Sequence, residues 1–536
     1  MVVIVPFDEM PVNRLYSIIQ LKENRYLLVS RNGLYTLDTD NETPVFTPFH
    51  TNADDYLLQN KIYCAQTLPC KNLAIGTLQG GIVILSQNGE IENIIDKSAG
   101  LPSNGIYSLF VDSQSNLWAG MEKGIAKIDV MSPLTILDKK NDIDGNILSC
   151  FESSDFFYVG TFSGLFGINK KTLKVGSPIV LNEISSDDIF TMDFTRVKPK
   201  NSEEEMLLFS SIDQVSLLEK DKITERICKT YPGFSLERDK QDSSIVYIGF
   251  IGFAKIQSIF KNKPIFTVTP ASPRFEYAVR NIVSDNHGRL WLETESNGIF
   301  AAIKKNDTAY NYFQFDTITG LPEMAGNKII EIDKEVIIST ESGLYMPEIE
   351  NDSICILKPL IKPGFDYASD SIQLYITKKI DKDLYLAGSN KGPLLIESKA
   401  NKYIWSDEPF KRISDDIFEY IHVSKDGNIW ICSQNKIINY NKVKNKQRNT
   451  SYRTIINSVK IGKDSIIYSL SFKNKPGCKK VINHEYNSIQ FRYAATNFIK
   501  EKDNLYSYFL EGFDNDWSDW KKTTQKEYTN LPGGTY

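Results

Sequence analysis

The sequence predicts an all-β chain: a seven-bladed β-propeller, preceded by the blades of an incomplete first propeller and followed by a small β-sandwich. Three observations carry this reading. Aromatic residues make up 12% of the 536 residues, with 27 Tyr and 29 Phe, a composition that favours strands. No stretch longer than about ten residues has a clean helical period. A unit of three short strands with its turns, clearest in Gly100–Asp129, recurs along the chain.

Within that unit, Ile106–Val111 is a β-branched and aromatic run, and Asp112–Asn116 is a polar turn. Leu117–Met121 is a second apolar run, Glu122-Lys123-Gly124 a tight turn, and Ile125–Ile128 alternates apolar and polar. Positions equivalent to Gly124 recur at Gly33, Gly81, Gly164, Gln214, Gly252, Gly298, Gly343, Gly392 and Lys436. The nine intervals from 33 to 436 average about 45 residues, the spacing of propeller blades. Glycine suits a strand-to-strand turn with φ > 0, so Gln214 and Lys436 must turn by another geometry or under strain. Trp118, Trp291 and Trp430 hold one place in the unit, and their fixed position argues for packing between blades rather than sugar stacking.

Ten repeats exceed one ring of four to eight blades. Between the third and fourth lies the proline-containing, charged connector MSPLTILDKKNDIDG (131–145). Repeats four to ten make a ring of seven. The expected domains are therefore 1–131, the last blades of a first propeller, 132–455, the second propeller, and 456–536, the sandwich. A single open or oversized ring is the rival arrangement. After residue 455 the period stops, and Ile455–Lys460, Ser465–Phe472, Ser488–Tyr493, Tyr506–Leu510 and Lys526–Asn530 read as sandwich strands.

Charge is nearly balanced, at −5 with a pI near 5.7, and no basic block marks a nucleic-acid footprint. Seven cysteines are too few for a disulfide scaffold. Cys64 and Cys70 are the only close pair, and the odd count leaves at least one thiol unpaired within the chain. The most apolar run, Tyr247–Ile256, falls short of the roughly 20 residues of a membrane span. MVVIVPFDEM lacks the basic region and long apolar core of a secretory signal.

Catalytic and metal signatures are missing. His50, His287, His422 and His484 show no H-x-x-x-H spacing, and there is no C-x-x-C, phosphate loop, dinucleotide fingerprint or nucleophile elbow. No catalytic residue, metal ligand or cofactor is expected, and the ligand-binding residues are not identified. His422 reads as a hydrogen-bonded core histidine. Sialidase-type Asp-boxes are approached but not met: Ser424–Trp430 is one residue short, and Ser284–Trp291 carries Asn286 in place of Asp. The acid pairs Asp187-Asp188 and Asp415-Asp416 sit where chains enter inner strands. They read first as turn caps, with a ligand mouth or cation site as the alternative.

Gly100–Asp129 resembles the two-component regulator propeller repeat of bacterial sensors. SIQFRYAA (488–495), LYSYFLEGFDNDWSDW (505–520) and EYTNLPGGTY (527–536) resemble the triple-tyrosine domain that follows such propellers. Tyr508, Tyr528 and Tyr536 are candidates for its tyrosines, and Trp517 and Trp520 for its core and corner. The resemblance implies an immunoglobulin-like sandwich and a non-catalytic, periplasmic, ligand-sensing ectodomain of a homodimeric membrane receptor. It implies a small-molecule ligand, an oligosaccharide in several members, and attachment to the membrane through a helix outside these residues. Against the family's two seven-bladed rings, about four blades of the first ring and the last sandwich strand are expected to be missing, so the sequence reads as a fragment. A cut sandwich would leave strand edges unpaired across Ile489–Tyr528. A protein-binding scaffold and a degenerate glycan hydrolase are the alternatives.

Overall fold

The computed structural model describes residues 12, 14–39, 44–138, 143, 146–153, 156–161, 164–170, 191–211, 214–219, 222–229, 233–271, 273–307, 309–350, 354–360, 372–399, 402–413, 416–424, 427–442, 451–462, 465–470 and 481–536. The chain separates into two compact units, Met1–Ser132 with Lys444–Tyr536, and Pro133–Val443. The residues after the repeats thus group with the first three repeats.

In the first unit, each of three sheets is a meander of neighbouring antiparallel strands. The third, for example, runs Ile106–Val111, Leu117–Met121 and Ile125–Ile128. Apolar clusters fill the space between the first and second sheets and between the second and third. A seven-residue helix, Asp54–Asn60, packs Leu57 into the first of these. Residues 454–528 contribute one four-stranded sheet in the order Ser465–Ser469, Thr454–Ile461, Ile489–Ala495, Gln525–Tyr528. The strand expected at Tyr506–Leu510 is reduced to a bridge between Tyr506 and Lys521. Trp517 and Trp520 are not core residues: they are 65% and 70% exposed, because no second sheet among the described residues covers them.

The second unit holds seven sheets among the described residues, one for each of repeats four to ten. Their first strands are Ile147–Glu152, Thr191–Val197, Ser235–Arg238, Val279–Ser284, Lys328–Ile332, Leu374–Asp381 and Phe418–Val423. Each sheet touches the next, and the last touches the first. Seven apolar clusters alternate with them, one per junction, including Phe157 and Val159 of the fourth sheet with Trp430 and Ile437 of the tenth. A sheet buried on both faces must find a neighbour for each, and a closed cycle supplies one without leaving an open face.

Closure has a second component. Leu134–Asp138, inside the segment read as a connector, is a strand that pairs antiparallel with Lys436–Tyr440 and completes the tenth sheet. Its Leu137 enters the cluster shared by the tenth and fourth sheets. The ring is therefore shut by hydrogen bonds from the start of the unit to its end.

The recurring turn is built from two parts. Gly81 and Gly298 have φ of +76° and +74°, and a Cβ there would meet the carbonyl oxygens of Ile95 and Phe315 at 2.2 and 2.3 Å. A buried hydroxyl three or four residues earlier donates to the turn carbonyl: Ser30 to Gly33 O, Thr77 to Gly81 O, Thr294 to Gly298 O, Thr340 to Gly343 O and Ser389 to Gly392 O, at 2.6–3.1 Å. Such a hydroxyl satisfies backbone that the sheet ladder leaves open. In the tenth repeat Ser433 makes a longer bond of 3.4 Å to Lys436 O, and Lys436 is ion-paired with Asp416.

Candidate functional site

The first strands of the seven sheets line the middle of the second ring, and charged side chains gather there. Lys378, on the ninth sheet, acts electrostatically on Cys150, Asp193, Glu237 and His422 of the fourth, fifth, sixth and tenth sheets. The fifth and sixth sheets are not its neighbours, so its charge is felt across the ring.

Asp193 and Glu237 are tied to the sheet that follows each. Asp193 accepts from Leu236 N at 2.8 Å, from its own neighbour Phe194 N at 2.8 Å and from Tyr420 OH at 3.2 Å. Glu237 accepts from Ser284 N at 3.0 Å. Burial pushes the Asp193 carboxyl up to about 6 and that of Glu237 up to about 7, against the pull of these bonds and of Lys378. Glu152 behaves oppositely: burial opposes its charge, yet Lys170 and His422 hold its carboxyl below the usual range. His422 Nε2 lies 3.1 Å from Glu152 Oε2, and burial pushes the imidazole below its ordinary value.

Ion pairs stitch the rim. Glu205 lies 3.5 Å from Arg196 and 2.7 Å from Arg238, Lys328 is 2.8 Å from Glu293, and Lys240 reaches Glu331 two sheets away. The middle of the ring thus carries charged side chains of both signs. Among the described residues, no three His, Cys, Asp or Glu groups cluster as a metal site.

Asp187, Asp188 and Asp415 lie outside the described residues, while Asp416 pairs with Lys436 and so supports a turn. The near-miss Asp-box Ser284–Trp291 holds a structural carboxylate one position earlier. Asp285 accepts from the backbone N–H of His287 and Arg289, from Arg289 Nε and from Trp291 Nε1 at 2.9 Å. Asp112 does the same for Gln114 N, Asn116 N, Asn116 Nδ2 and Trp118 Nε1 at 2.8 Å. The tenth repeat has Ser424 at this place, and Trp430 Nε1 has no partner among the described residues. Trp291 and Trp430 are 1% exposed and pack into the junction with the next sheet, Trp430 stacking on Phe157 at 4.2 Å.

Trp118 has a different neighbour. Its ring meets Phe498 edge-on at 5.1 Å. Phe498 N donates to Gln114 Oε1 at 3.0 Å, Phe498 O accepts from Lys127 Nζ, and Lys127 lies 2.5 Å from Glu501. The segment beginning near residue 497 is therefore latched to the third sheet at four points. Within that segment Tyr528 is central: its hydroxyl donates to Asp514 Oδ2 at 2.6 Å, and its ring meets Tyr508 and Phe513 edge-on. Phe513 in turn meets Tyr536, whose hydroxyl donates to Pro532 O. The E-G-F-D string thus places its aspartate to hold a tyrosine.

Comparison with known proteins matches residues 100–123 to the two component regulator propeller family and residues 497–536 to the Y_Y_Y domain family. The chain carries a regulator propeller repeat and a Y_Y_Y domain. No curated protein matches it. Among solved structures it is similar to the extracellular domain of a hybrid two component system from B. thetaiotaomicron, with TM-score 0.65 and 17% identity over 98% of this chain and 75% of that one. The extracellular domain of a one component system from the same organism gives TM-score 0.44 and 14% identity over 98% and 78%. The β-propeller domain of Myceliophteria thermophila Cps50 (Swd1) gives 0.38 and 12% over 56% and 97%. The first shows a shared fold, and the other two are too distant to argue from. The contacts of Phe498 therefore join the Y_Y_Y domain to the very sheet that carries the matched propeller repeat.

The channel groups Asp193, Glu237 and Lys378 were not singled out from sequence. Their signal was a charged residue within the first strand of a repeat, as in TMDFTRV, SLER and LYITKKID.

Proposed function

We propose that this chain is the ligand-sensing, non-catalytic ectodomain of a membrane-bound bacterial signal-transduction receptor, placed on the extracytoplasmic side. The observation that carries the reading is the joining, through Phe498, of a regulator propeller repeat to a Y_Y_Y domain. A ligand is a small molecule with many hydrogen-bonding groups, an oligosaccharide first, taken at the channel mouth or the loops around it. Its binding, or an altered contact between two protomers, shifts the third sheet against the Y_Y_Y domain, which hands the change towards the membrane. In the near-miss Asp-box Ser284–Trp291, the carboxylate of Asp285 is committed to turn backbone and to the indole N–H, a structural role that supports binding over turnover.

The test is calorimetry of the chain against a panel of oligosaccharides, with chromatography of each mixture. Binding of one glycan class without product is expected. Product release would replace the reading with a hydrolase. Silence across the panel, with a protein recovered by pull-down, would replace it with a scaffold.

A further inference from the structure

Two thiols meet where the second ring closes. Cys150 lies on Ile147–Glu152 of the fourth sheet and Cys432 on Ile429–Ser433 of the tenth. They are 282 residues apart in sequence, yet their Sγ atoms are 3.5 Å apart. Both are buried, at 1% and 2% exposure, in one apolar cluster with Leu137 of the closing strand and Trp430. The strands that bear them are direct neighbours across the junction. Cys64, Cys70, Cys150, Cys228 and Cys432 are all free thiols in this structure, but Cys64, Cys70 and Cys228 are only partly buried and none of these three lies in this cluster.

We infer that Cys150 and Cys432 form a disulfide that locks the second ring shut. A disulfide needs its sulfurs about 2.05 Å apart, so closing the gap takes an approach of roughly 1.5 Å between groups already facing each other. The balance is simple: each thiol gives up one proton and one electron and a single S–S bond forms. The oxidant is a second disulfide, whose own S–S bond breaks and takes up both electrons and both protons as two thiols. The bond would tie the first and last sheets of the unit together, at the seam otherwise held by the strand Leu134–Asp138 and by packing. Cross-linking ends so far apart removes much of the freedom of the unfolded chain. It would also prevent the ring from opening in one step.

Accessibility sets when the bond forms. Burial pushes the Cys150 thiol up, so the folded seam offers little thiolate to an oxidant. The exchange belongs to the moment before the seam shuts, or to its transient opening. The inference does not depend on the proposed function, since the oxidant can be supplied in solution.

The experiment incubates the full native chain with oxidised glutathione at rising urea, always below the unfolding transition. Samples are then denatured, alkylated, digested and weighed. The expected result is a peptide pair joined through Cys150 and Cys432, two hydrogen masses lighter than its parts, with both alkylated peptides lost. Its yield should rise as urea opens the seam, and the oxidised chain should unfold at higher urea, a shift abolished by dithiothreitol. Cys432→Ala should remove both the joined pair and the shift. The wild-type mass readout stands by itself if that variant does not fold. Full alkylation of Cys150 and Cys432 at every urea concentration, or bonds from either one to any of the other five cysteines instead, would overturn the inference.

Discussion

Trp430 shows how one side chain holds a junction. Its ring stacks on Phe157 with planes 11° apart, and it is 1% exposed. Trp430→Ala should cost about 3–5 kcal/mol in urea unfolding, the range for truncating a buried aromatic, and a loss below about 1 kcal/mol would remove its structural role. Asp285 is 2% exposed and satisfies four donors, so Asp285→Ala should destabilise by about 2–3 kcal/mol. Retained stability would mean the turn holds without it. In the channel the sign of the pH effect follows from the raised carboxyls. The folded state of Asp193 and Glu237 favours protons, so their contribution is fully present below the ordinary carboxylate range. It is lost as pH rises through about 6 and about 7 respectively. Both side chains are only half-buried, and solvent screening reduces this to on the order of 1 kcal/mol each. The melting temperature of the wild type relative to Asp193→Asn/Glu237→Gln should therefore fall between pH 5 and pH 8. His422, pushed down, acts in the other direction and is common to both proteins, so the difference isolates the acids. A flat difference would place both carboxyls in bulk-like water.

At the scale of the element, the repeating turn can be dissected by two alanines. Gly124 has φ +81° and nothing lies within 4 Å of where a Cβ would stand, so Gly124→Ala meets only the left-handed backbone, about 1–2 kcal/mol. Gly298 adds a carbonyl at 2.3 Å, and Gly298→Ala should exceed that by roughly 1–3 kcal/mol in the same unfolding measurement. Equal losses would show that the neighbouring strand yields freely. These turns were legible in the sequence because φ and strand length are local demands, written within a few residues. The hydroxyls at Ser30, Thr77, Thr294, Thr340 and Ser389 were equally legible, since they recur just before the turn glycine. Leu134–Asp138 was not: its partner strand lies some 300 residues away, and beside Pro133 its alternation looks like linker. Trp517 and Trp520 misled for the converse reason, because an aromatic is assigned to a core only when the layer that would cover it is present. The channel charges were hidden by their own strands, where one charged residue facing inward reads the same as one facing solvent.

At the scale of the molecule, the second ring is a cycle whose stability is shared by seven junctions, and the first unit is where a sheet of the repeats contacts the segment after them. Trp118 sits where Trp291 and Trp430 meet the following sheet, but it meets Phe498 of the Y_Y_Y domain instead. The same position that holds blade to blade in the ring thus holds sheet to Y_Y_Y domain here. Three of the four contacts, the edge-on ring pair, the Phe498 N to Gln114 bond and the Lys127 to Phe498 O bond, depend on how Phe498 is placed, whereas Lys127 to Glu501 does not. Phe498→Ala should therefore loosen the latch without releasing it. An aromatic pair is worth about 0.5–1.5 kcal/mol beyond its buried area, so amide exchange across residues 117–128 should speed up by about tenfold. Exchange in the second sheet, residues 62–95, lies beyond the apolar cluster that separates it from the third and should stay unchanged. Faster exchange in both sheets would mean that the variant unfolds the unit as a whole, and none in either would mean that Trp118 is held by its own sheet. Only the confined response lets Phe498 transmit a movement of the third sheet to the Y_Y_Y domain while the rest of the scaffold stays still.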